Sequence, residues 1–193
     1  AVAATSSAVL LTELALTRIF SVVMYYHFAF LAISIALFGL SASGVYAYLR
    51  RRQLEKVPTE RLLANRALLH GAATIVALFV LVRLRVGLNY SPQNLALMLA
   101  IYALAALPFF TGGLVITLAI ARLSSRINEV YAADLIGASL GCLALIPLLD
   151  RIGAPGVVLT AAGLACLAAI LFSRADGRLR TAGIVAIGLG LAL

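Results

Sequence analysis

Tryptophan is absent from this chain, and acidic charge is scarce: seven Asp and Glu stand against fifteen Lys and Arg in 193 residues. Charged residues make up only 11% and hydrophobic ones 64%. Soluble domains run at about a quarter charged and about half apolar, so the soluble globular class is excluded. There are two cysteines, Cys142 and Cys166, both inside apolar segments. That placement argues for reduced, packed thiols and against an export-type disulfide. Histidine is limited to His27 and His70. With the two cysteines on separate segments they make no zinc signature, so neither a metal nor a cofactor is expected. A phosphate-binding glycine loop, a hydrolase nucleophile motif and a dinucleotide fingerprint are missing from any strand-to-helix setting. Gly137-Ala138-Ser139-Leu140-Gly141 has the spacing of a nucleophile elbow, but it lies in the middle of an apolar run and is rejected.

Long apolar runs are what the chain does have, and its mean hydropathy is +1.10. The run from Ala8 to Gly44 organises the rest. It carries Glu13 and Arg18 inside it and is interrupted by Tyr25-Tyr26-His27. As one helix, its roughly 37 residues would reach about 55 Å, while the hydrocarbon core of a bilayer is about 30 Å thick. The run must fold back, and Tyr25-Tyr26-His27 is the expected turn.

Seven spans are expected, over residues 2–23, 28–49, 67–82, 94–121, 131–149, 156–172 and 181–193, with an eighth in the intact protein. Residues 1–193 then form a single integral-membrane domain, an all-α polytopic transmembrane bundle. Residues 59–66 read as a short interfacial helix, since Pro58 restricts the residue before it. The fourth span is too long for an untilted crossing, and Pro108 with Gly112-Gly113 predicts a kink or break. Residues 150–156 read as a tight turn. The opening Ala and the ending inside an apolar run predict a piece of a longer polypeptide.

Orientation follows from the loops. Six Lys and Arg fall in 50–66, two in 122–126 and three in 174–180, against Arg83, Arg85 and Arg151 in the alternating loops. By the positive-inside bias, the basic loops and the amino terminus are cytoplasmic, in a membrane expected to be the bacterial inner one. The excess of cations thus orients the chain in its bilayer, and nucleic acid is not an expected partner. Small residues recur at helical spacing at Ala36, Gly39 and Ser43, and again at Ala133, Gly137 and Gly141. Such faces let helix backbones approach closely.

Glu13 near mid-span must be neutral, paired or facing a wet cavity, because an ionised carboxylate there costs about 2.5–3.5 kcal/mol on insertion scales. Arg18 lies about 140° around the helix from it, outside i,i+4 reach. The expected arrangement is a polar cluster of Glu13, Arg18, His27 and Asp134, with Asp134 pairing Arg18. It would serve as a proton relay or polar-substrate site, or as a structural lock on helix register. His27 beside two tyrosines reads most simply as an interfacial residue.

Two stretches carry a family likeness. Leu11-Thr12-Glu13-Leu14-Ala15-Leu16-Thr17-Arg18-Ile19-Phe20-Ser21 runs on through Tyr26-His27-Phe28 to Phe38-Gly39-Leu40, and resembles the opening of bacterial membrane-bound spermidine synthase-like proteins. The second, Arg126-Ile127-Asn128 through Tyr131-Ala132-Ala133-Asp134 to Gly141-Cys142, resembles a motif ahead of a later span in that family. Together they cover about a quarter of the chain. The resemblance implies the membrane half of an architecture that joins a multi-span region to a soluble aminopropyltransferase-like domain. No catalytic residue of that domain is carried over. The expected function is a membrane-anchoring or scaffolding module of such a protein, or a subunit of a larger membrane complex. The expected partners are the lipid bilayer and other membrane subunits, or a fused C-terminal soluble domain. The alternatives are a small-solute transporter, for polyamines or amino acids, that uses the buried cluster, and an intramembrane enzyme.

Overall fold

A backbone inside a bilayer has no water to bond, so each crossing segment must satisfy its own amides and carbonyls, as an α-helix does. The computed structural model describes residues 1–23, 28–83 and 92–173. These form α1 (Val2–Val23), α2 (Phe28–Leu49), a single-turn α3 (Arg51–Leu54), α4 (Thr59–Arg83), α5 (Pro92–Arg122), a 3-10 turn at Ser124–Arg126, and α6 (Ile127–Phe172). The described residues contain no strand. The helices α1, α2, α4, α5 and α6 are each long and apolar enough to cross a membrane. Phe30, Phe38, Leu143 and Ile146 are among the large apolar side chains exposed along them. These are the features of a multi-pass membrane protein built as a helical bundle.

Several hydroxyls inside the spans close on their own helices. Thr12 donates to the Ala8 carbonyl at 2.8 Å, Thr17 to Glu13 at 2.8 Å and Thr74 to His70 at 2.8 Å. Each polar group is thereby satisfied without water.

Several expected boundaries change. Residues 59–66 are no separate interfacial helix; they open α4, because Leu62, Leu63 and Ala64 are buried in line with Ala67. α5 starts at Pro92, whose fixed φ suits the first helical position, and stays helical through Pro108 to Arg122 without a break. The fifth and sixth expected spans are joined in α6, whose only non-helical residue is Gly153, at φ 69° and ψ 173°. The fold-back at Tyr25–His27, the connection at 84–91, the basic loop 174–180 and the span expected from Thr181 lie outside the described residues. Among the described residues, five helices cover the first six expected spans, with the fifth and sixth both inside α6.

A straight helix the length of α6 would reach about 69 Å for its 46 residues. Yet Val130 near its start and Ala168 and Ala169 near its end share one buried cluster. Leu145, Leu148 and Leu149 meanwhile pack against the cluster holding Val157 and Val158. The two arms lie side by side, and the chain reverses at Gly153. A positive φ with ψ near 180° is a conformation only glycine adopts without strain.

α1 packs most extensively on α6, α2 packs on α5, and α4 packs on both α5 and α6. At one end of the bundle Val2, Leu54, Leu62, Leu118, Val130 and Ala168 meet in a single cluster. The start of α1, the α2–α4 connection, the α5–α6 connection and the end of α6 therefore share that end. It carries the basic segments 50–66 and 122–126.

Candidate functional site

The seam between α1 and the first arm of α6 is built on two small residues per helix. A Cβ added to Gly137 would fall on the Ala3 carbonyl oxygen and 2.5 Å from the Ala3 Cα. One added to Gly141 would lie 3.0 Å from the Ser7 carbonyl oxygen. Both pairs advance by four residues in the same direction, so the two helices run parallel at backbone contact. Ser7 Oγ donates to the Gly137 carbonyl, and Ser6 Oγ donates to Asp134 Oδ1. The second face is similar. A Cβ on Gly39 would meet Phe109 Cβ at 2.7 Å and the Ala106 carbonyl oxygen at 2.8 Å, and one on Gly113 would meet Ser43 Oγ at 2.6 Å.

The expected cluster of Glu13, Arg18, His27 and Asp134 is not assembled by the described residues. Asp134 is held by Ser6, and Arg18 lies twelve residues farther along α1, about 18 Å at helical rise. The Arg18–Asp134 pairing is therefore corrected to Ser6–Asp134. Arg18 is exposed, and Glu13 is partly buried with no ion pair or side-chain hydrogen bond among the described residues. His27 lies outside those residues. Of the two thiols, Cys166 is buried as expected, whereas Cys142 is exposed on α6.

The polar centre of the bundle lies instead at His70. Its side chain is fully buried, with 0% exposure; neither ring nitrogen makes a hydrogen bond of good geometry among the described residues, and the backbone of Pro108 on α5 lies beside the ring. Gly112 leaves the space it occupies: a Cβ there would stand 3.0 Å from His70 Cε1 and 3.1 Å from Nδ1. On the next residue, a Cβ at Gly71 would lie 2.8 Å from Cys166 Sγ. Gly112 and Gly113, expected to bend the fourth span, thus act as close-contact positions between α5 and its neighbours. Buried Thr5, Thr12 and Thr74 add to the polar interior.

No protein family, curated protein or solved structure matches this chain. The candidate sites therefore rest on geometry and chemistry.

A second polar site lies at the basic end. A cavity of about 400 Å³ opens between α2, α3 and α4, lined by Tyr46, Arg50, Gln53, Arg61, Asn65 and Arg66 along with apolar residues. Among the described residues, the buried Arg66 Nε has no hydrogen-bond partner. Arg50 donates to Gln53 Oε1 at 2.6 Å. Arg122, at the end of α5, donates to the Leu54 carbonyl and ties α5 to the α3 turn. Just outside, Glu55 accepts from Arg51 at 2.8 Å. That neighbouring carboxylate raises the guanidinium's already high pKa. Among the described residues no group of His, Cys, Asp and Glu is placed to hold a metal ion.

Sequence reasoning missed Ser6, Ser7, His70, Arg66 and the Gly71–Cys166 contact. Ala3 and Ser7 do repeat at the same four-residue spacing as Gly137 and Gly141, a usable signal for the α1–α6 seam. Nothing local marks His70 as buried, because its partner surface comes from α5, about forty residues away in sequence.

Proposed function

We propose that the chain is a membrane-anchoring and assembly module, either the membrane half of a spermidine synthase-like protein or a subunit of a larger bacterial membrane complex. The supporting observation is Glu13. It lies near the middle of α1, partly buried and unpaired among the described residues. A carboxylate at that depth is costly unless a partner covers it. A helix from another chain, or from the rest of a longer chain, that brings a hydrogen-bond donor to this face relieves that cost. Exposed Arg18 on the same helix offers a second polar contact. The two resembling stretches, around Glu13 to Arg18 and around Asp134, both lie on the helices α1 and α6 that make the tightest seam.

Glu13→Gln tests the reading in mild detergent. The wild type is expected to co-purify stoichiometrically with another membrane protein, or to arrive as part of a longer polypeptide with its α1 face protected. Glu13→Gln is expected to weaken that association by about tenfold, equivalent to roughly 1.4 kcal/mol, while its own unfolding midpoint holds. An association unaffected by the substitution would overturn the role given to Glu13.

In this reading the basic end, with residues 50–66 and 122–126, faces the cytoplasm. A cysteine placed at Lys56, in a background lacking Cys142 and Cys166, should resist a membrane-impermeant thiol reagent in intact cells and react once the membrane is opened. Labelling in intact cells would reverse the orientation.

A second reading, small-solute transport, is favoured by the fully buried imidazole of His70, a titratable group beside the Pro108 backbone inside the bundle. Flux of a polyamine or amino acid into proteoliposomes, abolished by His70→Gln in a folded protein, would decide for transport.

A further inference from the structure

The cavity at the basic end gathers guanidinium groups where the interior of the bundle meets the surface. Its polar lining holds three arginines, Arg50, Arg61 and Arg66, and none of its described lining residues is acidic. Of the carboxylates in this part of the chain, Glu55 pairs with Arg51 at 2.8 Å, Glu129 pairs with Arg126 at 3.0 Å, and Glu60 is exposed on the first turn of α4. Arg66 is the decisive residue. Its Nε is buried without an acceptor among the described residues, and leaving a buried charged donor unmade is costly in free energy. Arg66 lines the cavity, so a small turn of its guanidinium toward an anion bound there would supply the missing acceptor.

The chemistry of the lining narrows the anion. A guanidinium presents donors in a planar fork that matches phosphate and carboxylate oxygens two at a time. Asn65 and Gln53 add neutral amides for hydroxyl or ester oxygens, and Tyr46 brings an aromatic wall with a polar tip. The volume, about 400 Å³, is within the range of small-molecule clefts. The position also matters. α2 ends at Leu49 and α4 begins at Thr59, so the cavity opens where the apolar helices leave the hydrocarbon. Basic pockets between transmembrane helices at that depth are suited to lipid headgroups.

We infer that this cavity is a binding site for a phosphate-bearing anion, with Arg66 as its inner ligand and Arg50 at its rim. The anion has two available sources: the headgroup of an anionic phospholipid reached from the bilayer, or a soluble phosphate reached from the aqueous side.

The test uses the whole chain in nanodiscs of phosphatidylcholine. In one arm phosphatidylglycerol is titrated into the bilayer, and in the other inorganic phosphate is added to the buffer. Binding is read as the rise in unfolding midpoint and, for the lipid, by retention in native mass spectrometry. Arg66→Gln and, separately, Arg50→Gln are each expected to weaken binding about fivefold. Arg50 is exposed, with Gln53 as its side-chain partner, so its variant keeps the test informative if Arg66→Gln fails to fold. Stabilisation in the lipid arm that the variants lose identifies a headgroup site. The same result in the phosphate arm identifies a soluble ligand. Stabilisation that is equal in wild type and both variants, or absent in both arms, would overturn the inference.

Discussion

Gly137→Ala is expected to lower the unfolding midpoint of the protein in detergent by about 3–10 °C, corresponding to an overpacking cost of about 1–3 kcal/mol for a chain of this size. Gly163→Ala, in the other arm of the same helix, is expected to leave the midpoint unchanged or raise it slightly. The two substitutions are chemically identical and differ only in what the new methyl group meets. At Gly137 it falls on the Ala3 carbonyl and 2.5 Å from the Ala3 Cα, whereas nothing lies within 4 Å at Gly163. Replacing a helical glycine by alanine is otherwise favourable by roughly 0.5–1 kcal/mol, so the difference between the variants isolates the collision. The obstacle is backbone, which cannot rotate away as a side chain does. Ala3→Gly, which trims only a methyl group, should therefore fail to rescue Gly137→Ala. The collision also strains the Ser7–Gly137 and Ser6–Asp134 hydrogen bonds, because both cross the same seam. Equal midpoints for the two alanine variants would mean that α1 and α6 are not in backbone contact.

Gly153→Val is expected to produce a loss of similar size for a different reason. Space is not the constraint here: the nearest atom to an added Cβ is Pro155 Cδ at 3.9 Å. The constraint is the backbone itself, at φ 69° and ψ 173°, where a side chain costs about 1–3 kcal/mol. Asparagine, which often replaces glycine in left-handed turns, should not rescue. Left-handed helical geometry needs ψ of about 30–60°, far from the value at Gly153. If the reversal of α6 depends on this residue, the valine variant should also become more susceptible to proteolysis around residues 150–156. Gly44→Ala is the matched control, since that glycine is helical and has open space around it. A Gly153→Val protein with the stability of wild type would show that the reversal does not need glycine.

The two glycines differ in how far they could be read beforehand. Gly137 belongs to a small-residue stripe visible at four-residue spacing, but nothing in that stripe names α1 as its partner. Gly153 falls within a stretch recognisable as a turn from Gly153-Ala154-Pro155-Gly156, yet the helical geometry on both sides of it comes from docking the two arms on α1. Pro108 is a different case. A proline in a long span predicts a kink or break, and α5 runs through it without a break. In a bundle, neighbours and hydroxyls such as Thr111, which donates to the Leu107 carbonyl at 2.8 Å, help to satisfy backbone groups near a proline.

Composition and spacing alone determined the class of this protein: apolar helices, few charges, and cations gathered in the connections 50–66 and 122–126. They also marked Gly39, Ser43, Gly137 and Gly141 as positions of close approach. The tertiary structure alone decided which faces meet, and with that the fate of the polar residues. It separated Asp134 from Arg18, gave Asp134 to Ser6, enclosed His70 against Gly112 and left Arg66 lining a cavity. The physical reason is the solvent. In water, hydrophobic periodicity separates inside from outside. In lipid, both the buried and the exposed faces of a helix are apolar, so the pattern that reveals a span does not reveal its partner.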